Sequence, residues 1–154
     1  MRALAGKVWR ATPELVKHVV DRARDADRIE FHHAAQRPIA DVVDEMLGEC
    51  QGYVAAVDDE PVAVYGVISR RLLSQSAQPW LIASREVERP NVRRMFLRHG
   101  RDELARISAN YSYLWGAVHD ENAVAIRWLK FMGFRMVDRI GVNGAGFFRF
   151  ERSQ

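Results

Sequence analysis

The segment Glu30-Phe31-His32-His33 brings one carboxylate and two imidazoles within four positions. Groups of these types act as general acids, general bases or metal ligands. Neighbouring residues on a helix point about 100° apart, so the three side chains do not all face one ligand. A histidine pair at the surface is the simpler interpretation, and we predict no metal site.

Arginines are concentrated around the start of a predicted helix, at Arg89, Arg93 and Arg94. The planar guanidinium suits phosphate and carboxylate groups better than an ammonium does. The net charge is only +3 over 154 residues, and acidic residues interrupt the basic stretches. Nucleic-acid binding is therefore the function that the sequence supports least. These arginines could therefore bind phosphate, or they could simply form a solvent-exposed face of the helix, and the sequence does not decide between the two roles.

Composition limits the class of protein further. Apolar residues make up 48% and charged residues 28%, as in ordinary globular domains. No run of 18 uncharged apolar residues and no apolar leader is visible, so we expect no membrane span and no signal peptide. The single cysteine, Cys50, excludes an internal disulfide, and we expect it to be buried. We predict one domain over residues 1–154 and a cytoplasmic location.

Hydrophobic periodicity and turn residues predict an alternation of strands and helices. The predicted strands cover residues 7–11, 53–57, 62–69, 79–83, 113–118, 135–140 and 146–151. The predicted helices begin at Thr12-Pro13 and cover residues 25–35, 38–47, about 91–109 and 122–132, with Gly48 ending the third and a polar loop over 85–91.

The connections between these elements predict the fold class. The turns at residues 58–61 and at Asn143-Gly144 are typical of hairpins, whereas other strands are joined by helices. Hairpins give antiparallel pairs, and helical connections allow parallel ones. We therefore predict an α/β (α+β) fold, with a mixed central sheet flanked by helices on both faces.

Residues 120–134, DENAVAIRWLKFMGF, carry a recognisable pattern. Asn122 is followed by Ala125 three positions later and by Gly133-Phe134 eight positions after that. This segment resembles the strand–loop–helix of GCN5-related N-acetyltransferases (GNAT). In physical terms Asn122 caps a helix whose face of Ala125, Trp128, Leu129 and Met132 packs on the sheet. The resemblance implies the GNAT acyl-CoA N-acyltransferase fold.

The resemblance also implies an activity and a set of site residues. The activity is transfer of an acetyl group from the substrate acetyl-CoA to an amine acceptor that the sequence does not identify. The implied cofactor-binding residues are Ile82, Ala83, Arg89, Arg93, Arg94 and Asn122, and the implied catalytic residues are Glu30 as a base with Tyr113 or His119 as an acid. In this family a backbone amide from the strand over residues 79–83 would polarise the thioester carbonyl.

Two positions depart from the family pattern. The family places a glycine-rich loop before its long central helix, where bare amides cradle the pyrophosphate. Residues 85–94 contain no glycine, so side chains and Pro90 would obstruct a close approach, although Arg89, Arg93 and Arg94 could still bind phosphate. The family also often has a tyrosine acid four residues before the Gly-Phe pair, where this chain has Leu129.

The chain is similar, more specifically, to a phage-encoded branch of the superfamily that resembles internal virion protein A of short-tailed phages. The likeness runs through residues 24–30, 60–67, 79–83 and 122–134 to Phe147-Phe148-Arg149-Phe150. It implies an alternative function: a catalytically degenerate virion or assembly protein that binds other phage structural proteins. Phe147, Phe148 and Phe150 are a candidate patch, although strand alternation places at least one of them in the core. The host cytoplasm and the virion are then both implied locations, and a homodimer stays open.

Overall fold

A computed structural model describes residues 4–71 and 74–154, so residues 1–3, 72 and 73 of the predicted domain lie outside the described residues. The described residues form strands β1 (Gly6–Arg10), β2 (Tyr53–Val57), β3 (Glu60–Ile68), β4 (Ser76–Ala83), β5 (Tyr113–His119), β6 (Arg135–Val142) and β7 (Ala145–Ser153). The helices are α1 (Pro13–Asp21), α2 (Asp25–Ala35), α3 (Ile39–Glu49), α4 (Pro90–Ile107) and α5 (Ala123–Phe131), with a 3-10 helix at Arg85–Glu88. No helix in this part of the chain is both long and apolar enough to cross a membrane.

The strands form one sheet in the order β1-β2-β3-β4-β5-β7-β6. Neighbouring strands are antiparallel, with the exception of the parallel pair β4 and β5 in the middle. The two antiparallel halves of the sheet therefore meet at β4 and β5. The predicted mixed sheet is confirmed.

Helices cover both faces of the sheet, as predicted. On one face α1 and α3 pack on β2, β3 and β4 through a cluster that includes Val19, Val43 and Ile82. On the other face Leu129 of α5 and Met132, which directly follows that helix, pack on β5 and β7, and Val92 of α4 packs on β2 and β3. Burying apolar side chains on each face is the main stabilising contribution of such layers.

Local signals in the sequence explain several element ends. The Thr12 hydroxyl accepts a hydrogen bond from the Leu15 amide (3.4 Å) and starts α1 with Pro13 in its first turn. Asn122 accepts from the Ala125 amide (3.4 Å) and starts α5. Asn143 and Gly144 take positive φ values of 51° and 83°, as a two-residue hairpin turn requires. These three predictions are confirmed.

Two predictions about elements are wrong. Gly48 does not end α3, because the backbone stays helical there and leaves the helix at Cys50, which is extended. Residues 85–91 are not a loop, because the Ser84 hydroxyl accepts from the Glu86 amide (3.2 Å) and starts the 3-10 helix. Of the C-terminal phenylalanines, Phe147 and Phe150 are buried in the core, as alternation predicted for at least one of them, so only the partly exposed Phe148 is left of the predicted surface patch. Cys50, which we expected to be buried, is only half-buried.

Two glycines allow a matched test of the packing. The ring of Phe150 lies across Gly116 of β5, where an added Cβ would clash with it. We expect Gly116→Ala to destabilise the protein by about 1–3 kcal/mol, as overpacking usually does. Gly48 has open space at its Cβ position, so Gly48→Ala should stabilise α3 by about 0.5–1 kcal/mol. Urea unfolding of both variants measures this, and equal effects would contradict the packing described.

Candidate functional site

The central strands β4 and β5 separate soon after they begin. They pair at Ser76 with Tyr113 and at Ala77 with Leu114, and their ladder ends there. We call the gap between residues 78–83 of β4 and 115–119 of β5 the wedge. It is closed at the Ala77–Leu114 end and wide at the other end.

The hydrogen-bond pattern shows which groups of β4 point into the wedge. The Ser84 amide donates to the Val62 carbonyl (2.8 Å), so residues 82 and 80 also face β3 in the alternating antiparallel ladder. The backbone groups of Leu81 and Ala83 therefore face the wedge. Pro79 faces it too, but proline has no amide hydrogen to donate.

The same argument applies to β5. The Asp120 amide donates to the Gly146 carbonyl (3.0 Å), which places residues 118 and 116 against β7. The backbone groups of Trp115, Ala117 and His119 therefore face the wedge from the opposite side.

Helix α2 supplies partners at the wide end of the wedge. The Ala83 amide donates to Oδ2 of Asp27 (3.0 Å), and the His119 amide donates to Oε1 of Glu30 (2.8 Å). The Ala83 carbonyl accepts from the Arg24 amide (3.0 Å). Within the described residues, the Leu81 amide has neither a strand nor a side chain to accept its hydrogen bond.

Asn122 connects these groups. Its Nδ2 donates to Oδ1 of Asp27 (3.3 Å) and to Oε1 of Glu30 (3.2 Å), and its Oδ1 accepts from Nη2 of Arg24 (3.4 Å). We call Asp27, Asn122 and Glu30 the carboxylate bridge. Asp27 and Asn122 are 4% and 2% exposed, and Glu30 is half-buried.

The bridge changes the acidity of its carboxyl groups. Burial raises the pKa of Glu30 to about 7, against hydrogen bonds from the His119 amide and Asn122 that favour the charged form. Burial also raises the pKa of Asp27, and the Arg24 guanidinium opposes that rise. Both hydrogen bonds to Glu30 use Oε1, which leaves its Oε2 without a donor among the described residues. A carboxyl group that titrates near neutral pH is suited to general base catalysis.

A cavity of about 1240 Å³ passes through the wedge. Leu81 and Ala117 line it at the wedge, Glu30 lines it on the α2 side, and Phe96 and Trp128 line it between α4 and α5. The indole Nε1 of Trp128 is buried and has no hydrogen-bond partner in the described chain. The cavity thus has a carboxylate on one side of the sheet and the unpaired Leu81 amide at the wedge.

The structure brings together four of the residues that the sequence analysis singled out: Glu30, Ala83, His119 and Asn122. The His119 ring is buried against His33 (ring centroids 5.0 Å apart) and Phe147, so it faces the α2 side. Ile82 lies in the core, and its amide faces β3. Leu81, and not Ile82, therefore has the backbone amide that is free to donate a hydrogen bond to a ligand in the wedge.

Tyr113 does not join this group. It lies at the closed end of the wedge, about 20 Å from His119 along an extended strand. Its hydroxyl donates to Oε2 of Glu151 (2.5 Å), and this hydrogen bond raises the pKa of Tyr113. The Tyr113 hydroxyl therefore lies away from Glu30 and His119, and its proton is already donated to Glu151. Leu129 is buried among apolar side chains and has no proton to give.

The three arginines lie around the N-terminus of α4. Arg89 contacts Glu86 (2.9 Å), Arg93 donates to the Glu88 carbonyl (2.8 Å), and Arg94 is exposed. Pro90 is in the first turn of α4, and no side chain caps the helix. An anion at this end would meet free amides and the positive end of the helix dipole, with two acidic side chains close by.

Sequence reasoning missed Arg24, Asp27 and Leu81. The first two had a signal, because residues 24, 27 and 30 are three apart and share one helix face. Leu81 had none, because the direction of its amide depends on the register between β3 and β4.

No protein-family model matches the chain, and no curated protein matches it. Several solved structures do match this chain. An acetyltransferase from Bacillus subtilis in complex with CoA has a TM-score of 0.67 at 17% identity, over 98% of this chain and 99% of that chain. The ribosomal-protein-S18-alanine N-acetyltransferase from Escherichia coli has a TM-score of 0.67 at 15% identity, over 97% and 94%. Spermidine N-acetyltransferase from Vibrio cholerae, in complex with CoA and spermine, has a TM-score of 0.70 at 15% identity, over 97% and 95%.

These likenesses extend over nearly the whole of each chain. Together with the mixed sheet and the helices on both faces, they define the fold as the GNAT acyl-CoA N-acyltransferase fold. The fold that the segment over residues 120–134 predicted is confirmed.

Proposed function

We propose that this protein is an N-acetyltransferase that moves the acetyl group of acetyl-CoA to an amine. The observation that carries the proposal is the wedge, with the unpaired Leu81 amide pointing into it. The two solved structures with CoA that share this fold support the choice of substrate. We further propose that residues 1–154 form one domain, which the single sheet supports.

The residues of the wedge fit a thioester substrate. The Leu81 amide can donate to the thioester carbonyl, and such a donor stabilises the oxyanion that forms when the carbonyl carbon is attacked. At the start of α4, Arg93 lines the cavity, and the exposed Arg94 and the free amides of the first turn lie at the same end of the helix, where they are available for phosphates.

Glu30 fits the role of the base. Its Oε2 takes a proton from the acceptor amine while the nitrogen forms a bond to the carbonyl carbon. The carbon–sulfur bond then breaks, and the sulfur leaves as a thiolate that solvent protonates. A thiol has a pKa of about 8.5, so its thiolate leaves readily without a side-chain acid. This chemistry suits a site in which Leu129 stands in place of the family's tyrosine acid and Tyr113 lies far from the wide end of the wedge.

A second candidate function keeps the fold without catalysis. The observation that favours it is the segment over Arg85–Glu88, where Glu86 and Glu88 stand in place of a glycine-rich phosphate loop. In this case the chain would be a virion or assembly protein of phage origin, located in the host cytoplasm or the virion, and its partners would be other proteins. This alternative predicts no binding of CoA.

Calorimetry with acetyl-CoA and with CoA separates the two functions. For a transferase we expect saturable binding, weakened about tenfold in an Arg93→Ala, Arg94→Ala double variant that loses charge-assisted phosphate contacts. Arg98→Ala, one turn further along α4, is the matched control and should bind as the wild type does. If no heat is measured at millimolar ligand, the non-catalytic function holds.

A further inference from the structure

We propose that Asn122 is a positioning residue, which holds Glu30 in place and fixes the opening of the wedge, and that it does not contact the acyl-CoA substrate. The proposal rests on the function proposed above for Glu30. Its geometric basis is the carboxylate bridge, in which one side-chain amide joins two carboxylates that each accept a wedge-facing backbone amide.

The hydrogen-bonding capacity of Asn122 is used inside the protein. A side-chain amide has two donor hydrogens and an oxygen with two lone pairs. Nδ2 donates to Asp27 and Glu30, and Oδ1 accepts from Arg24 and the Ala125 amide. Asn122 is 2% exposed. A bond to a substrate would have to replace one of these four bonds.

The bridge stands where strand pairing is missing. Beyond Ala77 and Leu114 the two strands no longer pair, and the amides of Ala83 and His119 would lack acceptors at the wide end. Asp27 and Glu30, one turn apart on α2, accept these amides. Because Asn122 donates to both carboxylates, it ties β4 and β5 to α2 at a fixed separation.

Asn122 also moderates the charge around Glu30. The charged groups that act on Glu30 are Asp27 and Arg24 near the start of α2. His119, at the end of β5, meets Glu30 through its backbone amide, while its ring packs on His33 and lies 3.9 Å from Asp120. Arg24 is the nearby cation, and it also contacts Asp27 (3.1 Å) and Glu88 (3.6 Å). Without the Asn122 donor, Asp27 and Glu30 would face each other with less compensation, which favours the protonated form of Glu30.

The test is a carboxyl ¹³C NMR titration of the substrate-free protein, with the Glu30 signal assigned by its loss in Glu30→Gln. Asn122→Ser keeps a helix-capping hydroxyl but is too short to donate to both carboxylates. We expect its Glu30 midpoint to rise by about one pH unit. Asp27→Asn removes the like charge and should lower that midpoint. Asp27→Asn also keeps the shape of the side chain, so it tests the bridge if Asn122→Ser does not fold.

Calorimetry on the same variants tests the other half of the proposal. The dissociation constant of CoA should stay within about threefold of the wild-type value in Asn122→Ser. A tenfold loss of CoA affinity with an unchanged Glu30 midpoint would overturn the proposal and make Asn122 a substrate contact. If the Glu30 midpoint and the dissociation constant of CoA are both unchanged in Asn122→Ser, Asn122 acts only as a helix cap, and the proposal is overturned as well. If the wild type binds no CoA, the transferase function fails, but the titrations still decide whether Asn122 controls Glu30.

Discussion

We expect Leu81→Pro to lower kcat for the proposed acetyl transfer about 100- to 1000-fold, the usual cost of removing one donor to a developing oxyanion. Proline deletes the amide hydrogen that points into the wedge. The ladder to β3 loses no hydrogen bond, because the amides of residues 80, 82 and 84 make that ladder. The strand therefore keeps its pairing while the wedge loses its donor. Steady-state kinetics with acetyl-CoA and a test amine measure the effect.

Leu81→Ala is the matched control, because it shortens the same side chain and keeps the amide. We expect its kcat to stay within about fivefold of the wild-type value, since the donor remains in place. Circular dichroism and the melting temperature must show that both variants are folded. Equal losses in the two variants would mean that the side chain, and not the amide, matters at this position.

The sequence predicts the layers of this fold well because local chemistry determines them. Thr12, Asn122 and Asn143-Gly144 each have a side chain or a backbone preference that specifies a cap or a turn within four residues. The mixed sheet follows from which connections are hairpins. The errors at Gly48 and at residues 85–91 concern where an element ends, which depends on tertiary contacts as well as on residue type.

The candidate site is less predictable, because it depends on pairs of residues far apart in the sequence. Glu30 and His119 could be named as titratable groups, but their contact joins residues 89 apart in the chain. Tyr113 and His119 lie on the same strand, and only the point at which β4 and β5 separate places one at the closed end and the other at the wide end. For Asn122 the sequence indicated the helix cap correctly but gave no sign that its amide spans two carboxylates.

The proposed base leads to a further expected result, in which activity and stability change in opposite directions. Glu30→Gln removes the proton acceptor and should lower kcat about 100- to 10,000-fold, the range that general base catalysis usually contributes. In the wild type kcat/KM should rise with pH up to about 7, where Glu30 loses its proton, and this limb should be absent in the variant. A pH–rate profile between pH 5 and 9 measures both.

The stability of the same variant follows from the raised pKa. The ordinary pKa of this carboxyl group is 4.5, and in the folded protein it is about 7, so between these values the folded state holds a proton that the unfolded chain has lost. Stability is therefore lost as the pH rises through this window, and above it the wild type keeps a buried charge that glutamine does not have. Glu30→Gln should melt at a higher temperature than the wild type at pH 8, with the difference shrinking towards pH 4.5. A Glu30→Gln variant that is inactive and also less stable than the wild type at pH 8 would point to a structural role for Glu30. A group that is held in place for proton transfer lowers the stability of the protein, so its replacement should raise the melting temperature.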